Sequence, residues 1–525
     1  MIVTDSGGPD IDHDDDATHA RSISSDAGGP PSGIRFHPQV PGFTRGFAED
    51  PSPSMVGRAN VVLLTVDCFR YDRCGFTGHP KETTPFMDSL AAESMVFDAA
   101  VTTGPYTPQS VPGMLAGLHS RSLVYRGDLV CKAIPPEAPT IASRYREAGY
   151  STFATVTNTH LTAARNFDAG FDHFENLRLG DSAAMSERRD TGDLSVGSVY
   201  RRIWSRVRNR MRDRDRYPNA FIPLVVAYRL AALRDWPTID GRQVVEAFGR
   251  RLPSDDDGPF FGWLHLMDLH APLHPGRSTA ADASTPGGFL HQFMADGARV
   301  CQLAHPRYLE MYDAALEYVD RQVESVVDAL REKDLWDDTI LVVTGDHGEL
   351  LGERGRYGHP HHAMVDDLLR VPLLVRVPEK RARRLGHTFS LAWLHELLGE
   401  LTGIQSSGLP ATSTRDSHIE GDVSDAIAVS DSVNRDGYSI AVRDADRKYV
   451  EHDPDTEPPL MDAQRKLFHL QRDPGEHNPI VDASPPTDVG AVVDEYWTDP
   501  TDVPELHADL AADAERRLQQ LGYID

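Results

Sequence analysis

The chain has 525 residues, with 80 acidic against 53 basic side chains and a formal net charge of −27. That length suffices for one large domain plus a smaller one, and so negative a field excludes nucleic acid as a partner. An Asp-rich composition with only six lysines points to a halophilic protein, kept soluble in concentrated salt where repulsion is screened. The alternative is an acidic surface that binds cations or basic partners.

Residues 1–45 are rich in Gly, Pro, Ser and Asp and lack the apolar core of a secretion signal, so they read as a disordered acidic lead. The expected location is the cytoplasm. An apolar strand follows from Ala59 to Val66 and ends on Asp67. Apolar spacing predicts a helix over 84–93, a short strand over 94–102, a helix over 139–149 closed by Gly149, and a strand over 150–157. This alternation is the mark of a doubly wound, mostly parallel α/β sheet flanked by helices.

From about 180 to 255 the pattern is interrupted by a helical insertion. Its segment 200–216 is dense in arginine and reads as a solvated face pairing with the protein's own acids; contact with an anionic substrate or lipid surface is the alternative. Residues 221–233 are the most lipid-like stretch. They are too short to span a membrane and carry Pro223 and Arg229, so an amphipathic helix is expected. The sheet resumes at 259–267, and a long amphipathic helix over 307–333 leads into a strand at 339–344. Beyond about 400, strand candidates at 439–443 and 447–450 suggest a small antiparallel subdomain, with a terminal helix over 508–521.

The strongest chemical signal is Leu341-Val-Val-Thr-Gly-Asp-His-Gly-Glu349, an apolar strand that runs into Asp346 and His347. In an open α/β sheet, ligands bind outside the carboxyl ends of the strands. Two strands far apart in sequence thus deliver Asp67, Asp346 and His347 to one edge, where two carboxylates and an imidazole can share a divalent cation. The four cysteines, Cys68, Cys74, Cys131 and Cys301, form no C-x-x-C pair and no disulfide scaffold. Cys68 reads as a small buried hydrophobe rather than a ligand.

Several blocks in order resemble the sulfatase family of the alkaline phosphatase superfamily. They are Val61 to Asp72, Tyr106 to Gly117, His265-Leu-Met-Asp-Leu-His-Ala-Pro272, Thr344 to Glu349, Tyr357-Gly-His359 and Leu467 to Asn478. The resemblance implies an alkaline-phosphatase-like catalytic domain over 58–400 and a C-terminal subdomain over 401–525. It also implies one divalent ion (Mg, Ca or Mn) held by Asp67, Thr107, Asp346 and His347. Asp72 is expected to be structural or to orient Arg70.

Family members that carry formylglycine start from Cys or Ser in Cys-x-Pro-Ser-Arg; here the matching residues are Thr107-Pro108-Gln109-Ser110-Val111. A secondary alcohol cannot give the aldehyde, so the expected nucleophile is a metal-bound Thr107 hydroxyl, with helix N-capping as its bland alternative. Amides of the helix beyond Thr107 are expected to bind the transferred anion. By the same resemblance His270, His359 and His160 are catalytic candidates, and Ser110, Arg70 and His361 substrate contacts. The expected function is a metal-dependent hydrolase of sulfate or phosphate esters acting on a small molecule or glycan. A transferase of phospho-headgroups to glycan or lipid acceptors and a catalytically silent metal-binding homologue are the alternatives.

Overall fold

The computed structural model describes residues 59–126, 131–179, 238–254, 258–271, 273, 298–404, 418–419, 426–434, 437–454, 456, 460 and 463–503. The acidic lead, the Arg-dense segment, the stretch 221–233 and the expected terminal helix at 508–521 lie outside the described residues.

The chain opens on β1 (Asn60–Val66), whose Val- and Leu-rich run is buried on both faces, as a central parallel strand requires. Then come α1 (Pro85–Ala91), β2 (Met95–Val101) and α2 (Thr107–Ala116). A short hairpin, β3 (Val124–Arg126) with β4 (Cys131–Ala133), precedes α3 (Ile141–Glu147), β5 (Ser151–Val156) and β6 (His173–Asn176). Thr140 caps α3 through a reciprocal bond with Ser143, and the helix ends before Gly149, which adopts a φ of +86°. Next are α4 (Gly241–Arg251), β7 (Phe260–Leu266), the long α5 (Ala298–Arg331) and β8 (Thr339–Gly345).

A second hairpin, β9 (Leu350–Leu351) with β10 (Tyr357–Gly358), is followed by α6 (Asp366–Leu369), β11 (Leu373–Arg376), β12 (Arg383–Ser390) and α7 (Leu394–Thr402). The chain then builds β13 (Ala428–Asn434), β14 (Gly437–Arg443), β15 (Arg447–His452), β16 (Arg465–His469) and β17 (Ile480–Val481), and ends its described part with α8 (Thr487–Tyr496).

Eight strands form the main sheet in the order β12-β2-β11-β8-β1-β7-β5-β6. All neighbouring pairs are parallel except those of β11, which runs antiparallel to β2 and β8. The carboxyl ends of β1, β2, β5, β7 and β8 therefore share one edge. One buried apolar cluster lies under α2, α3 and α7; the other packs α4 and α5 against the opposite face. Strands β13 to β17 form the small antiparallel sheet. It meets the main sheet's functional edge where the Asp431 amide donates to Thr103 O. A buried ion cluster ties the same sheet to α6: Asp366 pairs with Arg443 and Lys448, and Lys448 also pairs with Glu476.

Candidate active site and metal centre

Asp67 leaves β1 and Asp346 leaves β8 side by side, both with no exposure to solvent, and the Asp346 amide donates to Val66 O. His347 follows. Its Nδ1 lies 2.8 Å from Gly348 O and donates to it, which leaves the Nε2 lone pair facing inward, 3.6 Å from Asp346 Oδ2 and 3.7 Å from Asp67 Oδ1. The glycine after it is required by packing: a Cβ on Gly348 would lie 2.1 Å from Asp367 O.

Thr107 completes the expected set. Its Oγ1 lies 3.1 Å from Asp67 Oδ2 and 3.3 Å from His347 Nε2. The helix cap is Tyr106, with no side-chain cap bond, so Thr107 is the first helical residue and its hydroxyl does not cap α2. Asn158, just past β5, donates from Nδ2 to both Asp67 Oδ2 (2.8 Å) and Thr107 Oγ1 (3.2 Å).

Sequence reasoning missed His265, near the end of β7. The Thr65 hydroxyl donates to Leu264 O and accepts from Trp263 Nε1, so His265 Nδ1, 2.8 Å away, must donate to it. This turns the His265 Nε2 lone pair toward Asp67 Oδ2, at 3.5 Å. A buried lone pair facing a carboxylate is relieved by a positive charge between them, either a proton on Nε2 or a metal ion. His265 Nε2 and Asp346 Oδ2 both lack a hydrogen-bond partner. Asp67, His265 and Asp346 offer donor atoms within 4.8 Å of one another. These residues fit a divalent ion in a mostly oxygen-lined site. The signal in the sequence was the position of His265 at the same strand edge, one residue before the end of an apolar run.

Burial opposes the charge of Asp67, yet His270 beside it holds its carboxyl well below the usual range. Asp346 is raised, because burial and the neighbouring Asp67 carboxylate disfavour its charge. Burial also disfavours a charged His359, but the adjacent Glu349 carboxylate, 2.7 Å from Nδ1, wins and lifts it to about 9. His359 is therefore a cation at neutral pH. Its ring lies 4.8 Å from that of His347 and 5.3 Å from that of His270.

The remaining candidates divide. His270 joins the centre, offering a donor within 4.8 Å of Asp67 and Cys68. His160 sits behind Asn158, which accepts its amide at 2.9 Å; burial and then Arg165, 2.9 Å from Nδ1, keep its ring neutral. His361 stacks on Tyr106 at 4.3 Å, and burial followed by Lys132 depresses it to about 3. Ser110 is enclosed within α2, its hydroxyl returning to Thr107 O at 3.4 Å.

Arg70, expected to contact substrate, is instead enclosed by Asp72, Glu353, Asp367 and the carbonyl of Glu349. It braces the loop after β8, and Asp72 orients it. The expected anion cradle at the start of α2 is also corrected. Pro108 has no N–H, and the amides of Gln109 and Ser110 both donate to Tyr106 O at 3.0 Å. Cys68 is buried as expected, but its thiol faces Asp67 and Glu349.

A family model described as Sulfatase matches residues 59–399. An arylsulfatase of Clostridium perfringens is 23% identical over 354 residues, which cover 61% of this chain and 69% of that protein. A phosphoethanolamine transferase of Escherichia coli is 39% identical over 124 residues, 23% of this chain and 21% of that one. The crystal structure of a phosphonate monoester hydrolase of Agrobacterium radiobacter superposes with a TM-score of 0.54 at 17% identity, covering 89% of this chain and 98% of the other.

Proposed function

The chain belongs to the sulfatase family, and from that premise we propose that it hydrolyses phosphate or related phosphorus esters, with the Thr107 hydroxyl as nucleophile. The observation that carries this reading is the position of Thr107 Oγ1. It lies inside the helix rather than at its cap, and it faces Asp67, His347 and Asn158.

A divalent ion held by Asp67, Asp346, His347 and His265 would supply the positive field that makes a threonine hydroxyl acidic and polarises the ester. The protein's own groups do the rest. Thr107 donates its proton toward Asp67 Oδ2 while Asn158 occupies one of its lone pairs, so the second lone pair is left to attack. Attack forms the bond from Thr107 oxygen to phosphorus and breaks the bond to the leaving oxygen, which takes a proton from cationic His359 or from His270. Water, giving a proton to the histidine that lost one, then attacks phosphorus; the bond to Thr107 oxygen breaks, that oxygen takes its proton back from Asp67, and phosphate leaves. Phosphorus is preferred over sulfur because a sulfated threonine lacks the easy elimination open to a formylglycine hydrate. Small-molecule or glycan esters are the substrates this reading takes.

A second reading, transfer of a phospho-headgroup to a glycan or lipid alcohol, needs only that an acceptor hydroxyl replace water in the second step. The stretch similar to a phosphoethanolamine transferase favours keeping it in view. Alcohol acceptors added to the assay separate the two by product.

The test compares matched aryl phosphate, phosphonate and sulfate esters with purified protein in high salt across several divalent metals. Thr107→Ala is expected to lower turnover by about a thousandfold or more, whereas Thr107→Ser retains measurable activity. Near-normal turnover in folded Thr107→Ala would remove Thr107 as the nucleophile.

A further inference from the structure

The donor groups at this edge outnumber what one ion can hold, and they lie on two sides of Asp67. Its Oδ2 faces Thr107, Asn158 and His265, while its Oδ1 lies 3.0 Å from Cys68 Sγ and 3.7 Å from His347 Nε2, which borders both sides. On that second side, Cys68 Sγ is 3.2 Å from Glu349 Oε2 and 3.8 Å from His359 Nδ1, and Glu349 Oε2 is 2.7 Å from His359 Nδ1. We propose that Cys68, Glu349 and His359, with Asp67 Oδ1 as a shared fourth donor, form a second cation site that takes a zinc-class ion.

Three observations support it. An ion holding ligands at about 2.0–2.3 Å in a tetrahedron separates neighbouring donors by roughly 3.3–3.8 Å. The edges from Cys68 to Glu349 and His359 lie at or near that range, while those from Cys68 to Asp67 (3.0 Å) and from Glu349 to His359 (2.7 Å) must open. Second, Cys68 adopts a φ of +62°, a conformation costly for any residue with a Cβ. That backbone turns the thiol out of the strand's alternation and into the cluster. It is fixed by Tyr312, whose hydroxyl donates to Cys68 O at 2.6 Å, and by the bond from the Phe69 amide to His347 O. Third, donor atoms of Cys68, His347 and His359, and of Asp67, Cys68 and His270, fall within 4.8 Å of one another, so His270 stands ready beside the same position.

The donor chemistry sets the class of ion. One sulfur, one imidazole nitrogen and carboxylate oxygens suit zinc and its neighbours, whereas Mg²⁺ and Ca²⁺ favour oxygen-rich sites without a thiolate. The two positions are thus unlike: a harder one at Thr107 and a thiophilic one at Cys68, bridged by Asp67. Binding displaces the thiol proton of Cys68 and the Nδ1 proton that His359 shares with Glu349, both of which pass to solvent. In the loaded state a cation stands where protonated His359 otherwise faces the ester, so the second position deepens the hydrolytic reading without depending on it.

The test is equilibrium dialysis of the chelator-stripped full chain against Co²⁺, with its absorption spectrum. Two ions per chain and a near-ultraviolet band from thiolate-to-cobalt charge transfer are expected. Cys68→Ala should lose the band and one ion; Asp346→Asn should weaken the other ion and keep the band; Cys74→Ala should change neither. One ion per chain without a sulfur band overturns the proposal, as does a band that survives in folded Cys68→Ala. If Cys68→Ala fails to fold, the wild-type spectrum decides alone. None of these readouts needs turnover, so a protein inactive on every ester tested can still show the second ion.

Discussion

Thr65 shows how a residue outside the donor set can shape the centre. Its hydroxyl has one proton, committed to Leu264 O, and its lone pairs receive Trp263 Nε1 and His265 Nδ1. That arrangement fixes the tautomer of His265 and aims Nε2 at Asp67. Thr65→Val preserves shape and β propensity but removes the acceptor, so the imidazole is free to flip or to change tautomer. Metal affinity should fall by about 10–100-fold, the usual cost of losing the outer partner of a ligating histidine. Dialysis of the chelator-stripped protein measures it, and unchanged affinity would show that His265 holds no ion. Asn158 acts in the same indirect way on Thr107. Its amide reaches both Asp67 and Thr107 without adding a charge.

Element positions were legible where apolar runs were long. The strands at β1, β7 and β8 fall within a residue or two of their expected bounds, because uninterrupted Val, Leu and Phe runs of that length have few other places to go. Asp67, Asp346 and His347 were legible for the same reason, since each follows the end of such a strand, whereas Thr107 was pointed to only by the resemblance of its block to the sulfatase pattern. Two further donors were not. His265 lies inside an apolar run and looked like part of the sheet, and the thiol of Cys68 is aimed by a backbone turn that no residue-type pattern announces. The start of α2 was misread for a related reason: whether its amides are free depends on which carbonyl they find, and Tyr106 O takes two of them.

Helix α2 is itself held in place by contact at Gly113, where a Cβ would lie 2.0 Å from Thr103 Oγ1. Thr103 is β-branched, buried and bonded to Gln109 O at 3.1 Å, so it cannot swing aside. Gly113→Ala should therefore push α2 off the sheet edge. Stability should drop by about 1–3 kcal/mol, read from the denaturant midpoint. Because Thr107 rides on α2 while Asp67 and Asp346 follow strands, turnover should fall more than metal affinity. Equal losses would mean that the helix does not position the nucleophile independently of the metal ligands.

At the scale of the molecule, a body of charge −27 must admit an anionic ester. The local answer is visible: His359 is held cationic beside the rings of His347 and His270, and the buried cations Lys132 and Arg165 lie near Tyr106 and His160. No helix among the described residues is long and apolar enough to cross a membrane. The global answer expected from the composition is salt. Self-repulsion acts over a Debye length of about 10 Å at 0.1 M and about 3 Å at 1 M, so screening should stabilise the fold steeply up to roughly molar KCl and little beyond. Weak binding of a divalent ion could imitate this at low salt, so melts belong on both chelator-stripped and metal-loaded protein. A solvent-exclusion effect would instead keep raising the melting temperature well past molar salt. A melting temperature that does not depend on KCl in the stripped protein would show that its acidic surface is not an adaptation to concentrated salt.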